Sequence, residues 1–447
     1  MTRLTWFLTA LLAIAAAARA DDDGLNDTPP NTPNKALTEA LAAAIDLPTP
    51  KERRAAADDL AKREVTLDQW RAAMKGLRPR AAAEEGQQFE SARLVVDGKR
   101  EETDLHYYVP RDYDPEAKSP LMLGLHGSGG EGTHQMGMWR RVADSLGMIV
   151  VAPTEAGANV GYGFSRRERA AALAALRWAR RRFHIDENRI YVTGVSRGGH
   201  LSWDLALRHP DLWAGCIPMI GGPRITMQNG QNNLRYLDNV VHLPIRDLQG
   251  SGDHPLLLAN LRWAFQQLKH RHAADAKLIE FPELGHSFEF GAVEWVDWLD
   301  TAVRLGAPAT VRRAVANKTG TRSFWLEIVR TDRKVRETFT PQVPAREWAA
   351  MSEAQKRGYR QRQIDERTAS LTVTMTARGR FEAKGRLVGK FRILLEPEMW
   401  AEGRRVEIRF KGKTYKKTVK PSVRILLREF VERFDREFLP VAVVTVP

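Results

Sequence analysis

The sequence predicts an α/β fold: a mostly parallel sheet with helices on both faces, a small helical segment before it and a β-rich module after it. Three observations predict this. From Phe89 to Leu305, short apolar runs alternate with helix-period stretches, the pattern of strands joined by crossover helices. Some of those runs, such as Pro120–Leu125 and Met148–Ala152, are apolar at every position, as strands covered on both faces must be. Composition then shifts at Ala307. Residues 307–447 hold 32 lysines and arginines against 16 acids, whereas the first 306 hold 37 against 39. The net charge of +14 therefore belongs to the last third, which reads as a separate module.

The first twenty residues read as an export signal, and secretion or a periplasmic location is expected. Arg3 begins it, Leu4–Ala18 is too short an apolar run to span a bilayer, and Ala18-Arg19-Ala20 is a cleavage site of the A-x-A kind. No later run is long enough for a membrane helix. Residues 21–34 are polar and proline-bearing, a linker. Ala36–Ile45, Lys51–Arg63 and a short helix opening at Thr66 complete a helical segment over residues 21–88. The α/β domain spans 89–306 and the basic β-rich domain 307–447. A lone Cys216 excludes an intramolecular disulfide, so the fold must rest on its core.

Within 89–306 the elements follow in order. Phe89–Val96 and Leu105–Val109 alternate like strands around an Asp97-Gly98 turn. Pro120–Leu125 is a strand, Met138–Ser145 a helix and Met148–Ala152 a strand. Ser165–Phe183 is a long helix opened by Ser165 and Glu168, a capping box. Ile190–Thr193 is a strand and Gly199–Leu207 a helix. Trp213–Met219, His242–Leu248 and Lys277–Phe281 are strands, and Leu256–Lys269 and Val293–Val303 helices. After 307, strands are expected at Ser323–Arg330, Leu371–Ala377, Lys390–Leu395, Val406–Phe410, Lys413–Val419 and Val441–Val446, with a helix at Ser422–Phe434. The charged tract Arg330–Arg367 reads as a long loop or mobile insertion.

Chemistry concentrates on Gly194-Val195-Ser196-Arg197-Gly198, a G-x-S-x-G between strand and helix. A serine on such a turn is displayed as a nucleophile, and the flanking glycines make room for the turn. Serine needs a base to take its proton and a group to orient that base. Asp253 follows the strand ending at Leu248, and His286 follows the strand ending at Phe281, so both emerge on the edge where open α/β sheets bind ligands. His254 adjoins the acid but stands in the wrong order for the base. Asp247 lies inside its strand and reads as structural. An oxyanion needs two backbone donors. Arg197 supplies one. The glycine-rich loop His126–Gly132 supplies the other, from Ser128 or else Gly127. Substrate-facing candidates are Trp139, Tyr162, Phe164 and His200, with a polar stretch from Gly221 to Tyr236 suited to a sugar ester or a small soluble ester. No histidine spacing implies a metal, no cofactor is expected, and no nucleic-acid motif is present.

The set L-H-G-S-G-G, I-D-E-N-R-I-Y-V-T-G-V-S-R-G-G, G-S-G-D-H-P and G-H-S-F, spread from about Phe89 to Leu305, resembles the α/β-hydrolase superfamily. Within it the chain looks most like the secreted esterase branch of polyhydroxybutyrate depolymerase-like, feruloyl or acetylxylan esterase-like and dienelactone hydrolase-like proteins. The resemblance implies Ser196, Asp253 and His286 as triad, Ser128 and Arg197 as oxyanion donors, and cleavage of carboxylic esters through an acyl-enzyme. Gln249-Gly250 stands where many members have His-Gly. Two other readings compete. A prolyl-oligopeptidase-like serine peptidase shares such a core, but its propeller has no room before Phe89. A non-enzymatic polyanion- or wall-binding protein would draw on the basic C-terminal domain, whose charge invites polyanion contact in either case.

Overall fold

The computed structural model describes residues 34–78, 83–154, 165–224, 233–273, 275–317, 321–338 and 343–447. The expected export signal, Tyr162, Phe164 and most of the polar stretch after Gly221 lie outside them. The chain forms two compact units: the residues up to Arg78 with Lys420–Ala442, and Pro79–Val419 with Val443–Pro447.

The first unit packs helices α1 (Lys35–Ile45), α2 (Pro50–Leu60) and α3 (Leu67–Lys75) with a helix from the far end of the chain, Val423–Arg433. Capping boxes open two of them, Thr49 with Glu52 and Thr66 with Gln69. Leu41, Trp70, Met74, Leu427 and Phe430 are buried in its core. Arg428 holds Asp58 through two hydrogen bonds of 2.6 Å.

The second unit begins with β1 (Gly86–Val96) and β2 (Lys99–Val109), an antiparallel hairpin turning at Asp97-Gly98. There follow β3 (Ser119–Leu125), α4 (Thr133–Leu146), β4 (Ile149–Thr154), α5 (Arg166–Arg182), β5 (Ile185–Val195), α6 (Arg197–Arg208), β6 (Gly215–Met219), β7 (Ile245–Gly250), α7 (Pro255–His270), β8 (Ala276–Phe281) and α8 (Trp295–Thr301). The sheet order is β1-β2-β4-β3-β5-β6-β7-β8, parallel from β4 to β8. This is the mostly parallel α/β sheet with helices on both faces that the sequence predicts. Side chains alternate across β5: Ile190 and Val192 pack with α5, α6 and α7, while Tyr191 packs with α4 and α8 on the other face. The strand order reverses between β3 and β5, so the loops leaving their C-terminal ends part and open a crevice.

The rest of this unit is a two-sheet β-sandwich. One sheet runs β10 (Arg322–Ser323), β11 (Leu326–Thr331), β14 (Val388–Leu395) and β17 (Ala442–Val446). The other runs β16 (Lys413–Thr418), β15 (Arg405–Phe410), β13 (Arg380–Arg386), β12 (Ala369–Ala377) and β9 (Thr310–Val315). Phe391 meets Phe410 at 5.1 Å and Trp325 meets Phe381 at 5.7 Å between them. Two strands lacked a sequence signal: β9 pairs two arginines at its centre, and every second residue of β13 is charged. The tract read as a loop over Arg330–Arg367 instead holds α9 (Ala345–Ala350) and α10 (Glu353–Asp365). The latter buries only Ile364, so it carries no apolar stripe to read. The last helix, Val423–Arg433, is α11. Among the described residues, no helix is long and apolar enough to cross a membrane.

Candidate active site

Glycines dictate the turn after β5. A Cβ on Gly194 would lie 2.3 Å from the Gly198 carbonyl, and one on Gly198 would lie 2.1 Å from the Leu125 carbonyl oxygen. Only glycine lets the first turn of α6 approach β5 and the end of β3 this closely. Between them Ser196 adopts φ 56° and ψ −113°, a conformation that residues with a Cβ rarely take. The surroundings hold it there. Its amide donates to the Met219 carbonyl at 2.8 Å, and its own carbonyl accepts from the His200 amide at 3.0 Å.

Two other loops meet this turn. Ser196 Oγ lies 2.8 Å from His286 Nε2, and His286 Nδ1 lies 2.7 Å from Asp253 Oδ2. Partial burial pushes the Asp253 carboxyl up. Hydrogen bonds from His286, from the His254 amide at 2.6 Å and from the Gln249 side chain at 2.7 Å more than offset this and hold it below the usual carboxylate range. Asp253 is therefore ionised at neutral pH and can only accept. Nδ1 of His286 must donate to it, which leaves Nε2 as the acceptor for the serine hydroxyl.

The loop after β3 closes on the same point. A Cβ on Gly127 would come within 3.7 Å of Ser196 Cβ. Ser128 then sits at the tip of a turn in which the Gly130 amide donates to the Gly127 carbonyl at 3.1 Å, with Gly129 at φ 67°. The Arg197 amide opens α6, where no intrahelical carbonyl can reach it and the helix dipole favours negative charge. Its side chain points away and binds Glu168 of α5 at 3.0 Å.

Other sequence candidates are placed differently. Trp139 does not line the crevice. It lies on the buried face of α4, fully enclosed, edge-on to Phe290 at 4.9 Å and Trp295 at 5.3 Å, because the helix directs this face at the sheet. His200 lies one turn beyond Ser196, with Nδ1 2.6 Å from the Gly222 oxygen and 2.9 Å from the Gly222 nitrogen. Burial, aided by the Arg224 charge, lowers it to about 4, so it is neutral. His254 caps α7, its Nδ1 accepting from the Leu256 amide. Asp247 lies in the core and accepts from Trp203 Nε1 at 2.6 Å. Among the described residues, no group of three or more histidines, cysteines and acids is arranged to hold a metal ion. Gln249 is the residue that the sequence reading passed over. Its only signal was the departure from the usual His-Gly at the end of β7.

No family model matches the chain. A bifunctional acetylxylan esterase/xylanase of Neocallimastix patriciarum is 30% identical over 123 residues, 25% of this chain and 17% of that protein. A poly(3-hydroxyalkanoate) depolymerase C of Paucimonas lemoignei is 28% identical over 119 residues, 24% of this chain and 29% of that protein. The similarity is to ester hydrolases. The chain spans less than a third of either curated relative. A crystallised thermostable esterase matches over 49% of this chain and 62% of its own, with 22% identity and a TM-score of 0.40.

Proposed function

We propose that the protein is an exported serine hydrolase of carboxylic esters, with Ser196 as nucleophile, His286 as base and Asp253 as its orienting acid. The observation that carries this reading is the continuous hydrogen-bonded chain from Ser196 Oγ through His286 to Asp253, built on a strained turn.

The chemistry follows from that chain. Oγ attacks the ester carbonyl as its proton passes to Nε2 of His286. The imidazolium that forms is stabilised by the Asp253 carboxylate at Nδ1. The carbonyl oxygen becomes an oxyanion, met by the Arg197 amide and by the Gly127-Ser128 segment; one such donor lowers the barrier by roughly 3–4 kcal/mol. Collapse expels the alcohol, which takes its proton from His286. Water, deprotonated by the same nitrogen, then attacks the acyl-enzyme and releases the acid with Oγ protonated again. Every proton shuttles through Nε2, so no cofactor is required.

Short acyl groups on polymers or small soluble alcohols are the proposed substrates. The names of the two curated relatives, an acetylxylan esterase and a polyester depolymerase, support an ester borne on a polymer. A fluorophosphonate probe should label the wild type and not Ser196→Ala, whose kcat/KM should fall about 10³-fold or more. Labelling that survives the substitution would overturn the assignment. Acetylated xylan should be preferred over long-chain p-nitrophenyl esters, and the reverse preference would sink the substrate class.

A further inference from the structure

We propose that the outer face of the sheet β16-β15-β13-β12 is a binding surface for an acidic polysaccharide, a chain of sugars carrying carboxylates. Strand pairing fixes which side chains share this face. Phe381 and Ala383 of β13, with Val406, Ile408 and Phe410 of β15, turn into the sandwich. Their neighbours therefore turn outward: Arg380, Glu382, Lys384 and Arg386 on β13, and Arg405, Glu407 and Arg409 on β15. Lys416 of β16 pairs with Glu407 and joins them. Six cations thus face solvent beside two carboxylates, all on strands held in register.

The two carboxylates are already engaged. Glu382 pairs with Arg409 at 3.8 Å, and Glu407 pairs with Arg409 at 3.4 Å and Lys416 at 3.9 Å. Among the described residues, Arg380, Lys384 and Arg386 make no ion pair. Lysines on the edge strand β16 have an ordinary purpose, since charge on an edge discourages pairing with another chain. β13 lies between β15 and β12 and has no edge to guard. Lys384 and Arg386, neighbours on one face of this interior strand, repel one another, and the residues in register with them on β12 are Thr372 and Ser370, not acids.

The chemistry around these cations selects the partner. Ser370, Thr372 and Thr374 of β12 stand opposite Arg386, Lys384 and Glu382 on the same face. Thr414 and Thr418 flank Lys416 on β16. The face therefore sets a row of hydroxyls beside rows of cations, which suits an extended chain bearing carboxylates and hydroxyls. None of these outward positions carries an aromatic ring, so bases have no platform on which to stack. None carries an apolar side chain to enter a bilayer.

The full chain is to be titrated with polygalacturonate, and in parallel with neutral dextran, duplex DNA and phosphatidylserine vesicles. Polygalacturonate should bind, and its affinity should fall steeply between about 50 and 300 mM salt as counterions return. R380S/K384S/R386S should weaken binding about tenfold or more and flatten that salt dependence. Its thermal midpoint and its hydrolysis of a small soluble ester should match the parent. The charge-keeping R380K/K384R/R386K should retain binding. If the triple serine variant loses thermal stability, Lys384→Ser is read instead, with a smaller loss expected. Unchanged binding by the serine variants would overturn the proposal, as would equal binding of dextran or tighter binding of DNA or vesicles.

Discussion

Gln249 is placed to hold the proposed acid, Asp253, without meeting substrate. It is fully buried at the end of β7, and its amide donates to Asp253 Oδ2, the same oxygen that accepts the hydrogen bond from His286 Nδ1. Two donors on one oxygen fix the carboxylate against His286. They also favour its ionised form, in keeping with the depressed carboxyl. Gln249→Leu removes one donor at similar volume. The Asp253 carboxyl should then titrate at higher pH, so the acid limb of the kcat/KM profile should move up and kcat should fall roughly tenfold, the measure of one charge-assisted hydrogen bond. KM for a small ester should hardly change. A profile that keeps its acid limb while activity falls would mean that Gln249 only fills space. The sequence held a trace of this residue, in the Gln-Gly that replaces His-Gly, but not its partner. Asp253 comes four positions after Gln249, and only the folded loop shows that the amide turns back onto the carboxylate.

Elements were legible where periodicity and caps agree. α5 opens at Ser165 with Glu168 bonded back to it, and β3 is apolar at all but its first position, so both were visible in the chain. Ser196, Asp253 and His286 were legible for a related reason: each stands one loop beyond an apolar strand, and parallel strands deliver all such loops to one edge. Strands β9 and β13 were illegible because buried Arg313 and the outward charges of β13 break the apolar pattern. Asp247, read from the chain as a structural residue inside its strand, is a carboxylate within β7. It is fully buried, its Oδ2 accepts from Trp203 of α6, and among the described residues its Oδ1 has no partner. Burial pushes this carboxyl well above the usual range, against the Trp203 hydrogen bond. Below about pH 4 both folded and unfolded chains carry the proton, so Asp247 has no effect on stability there. As pH rises, the unfolded chain ionises while the folded chain does not, and stability is lost up to the folded pKa. Asp247→Asn keeps an acceptor for Trp203 and cannot ionise. Its melting temperature, relative to the parent, should therefore rise from pH 4 to pH 8. A gap that stays constant between those pH values would show that Asp247 is ionised in the fold.

At the scale of the whole molecule, the residues up to Arg78 build one unit with Lys420–Ala442, while Pro79–Val419 and Val443–Pro447 build the other. Nothing in the apolar pattern foretold this. α1, α2 and α3 each bury one stripe, and α11 buries Leu426, Leu427, Phe430 and Val431, but amphipathic stripes do not say which helix they will meet. The pairing is specified by charge as well as by burial: Arg428 grips Asp58, and Arg54 reaches Glu432 at 3.1 Å. A small helical unit has a small core, so a single large side chain carries much of its stability. Phe430 is such a residue, 2% exposed and edge-on to Phe434 at 5.9 Å. Phe430→Ala should cost about 3–5 kcal/mol. Because the loss is confined to one unit, it should appear as local opening and not as global unfolding. Limited proteolysis should then cut between residues 34 and 78 more than about tenfold faster than in the parent. Hydrolysis of a small soluble ester should be unchanged, since Ser196, His286 and Asp253 all belong to the other unit. Parent-like resistance to cleavage, or ester hydrolysis that falls in step with cleavage, would show that the two units do not unfold independently.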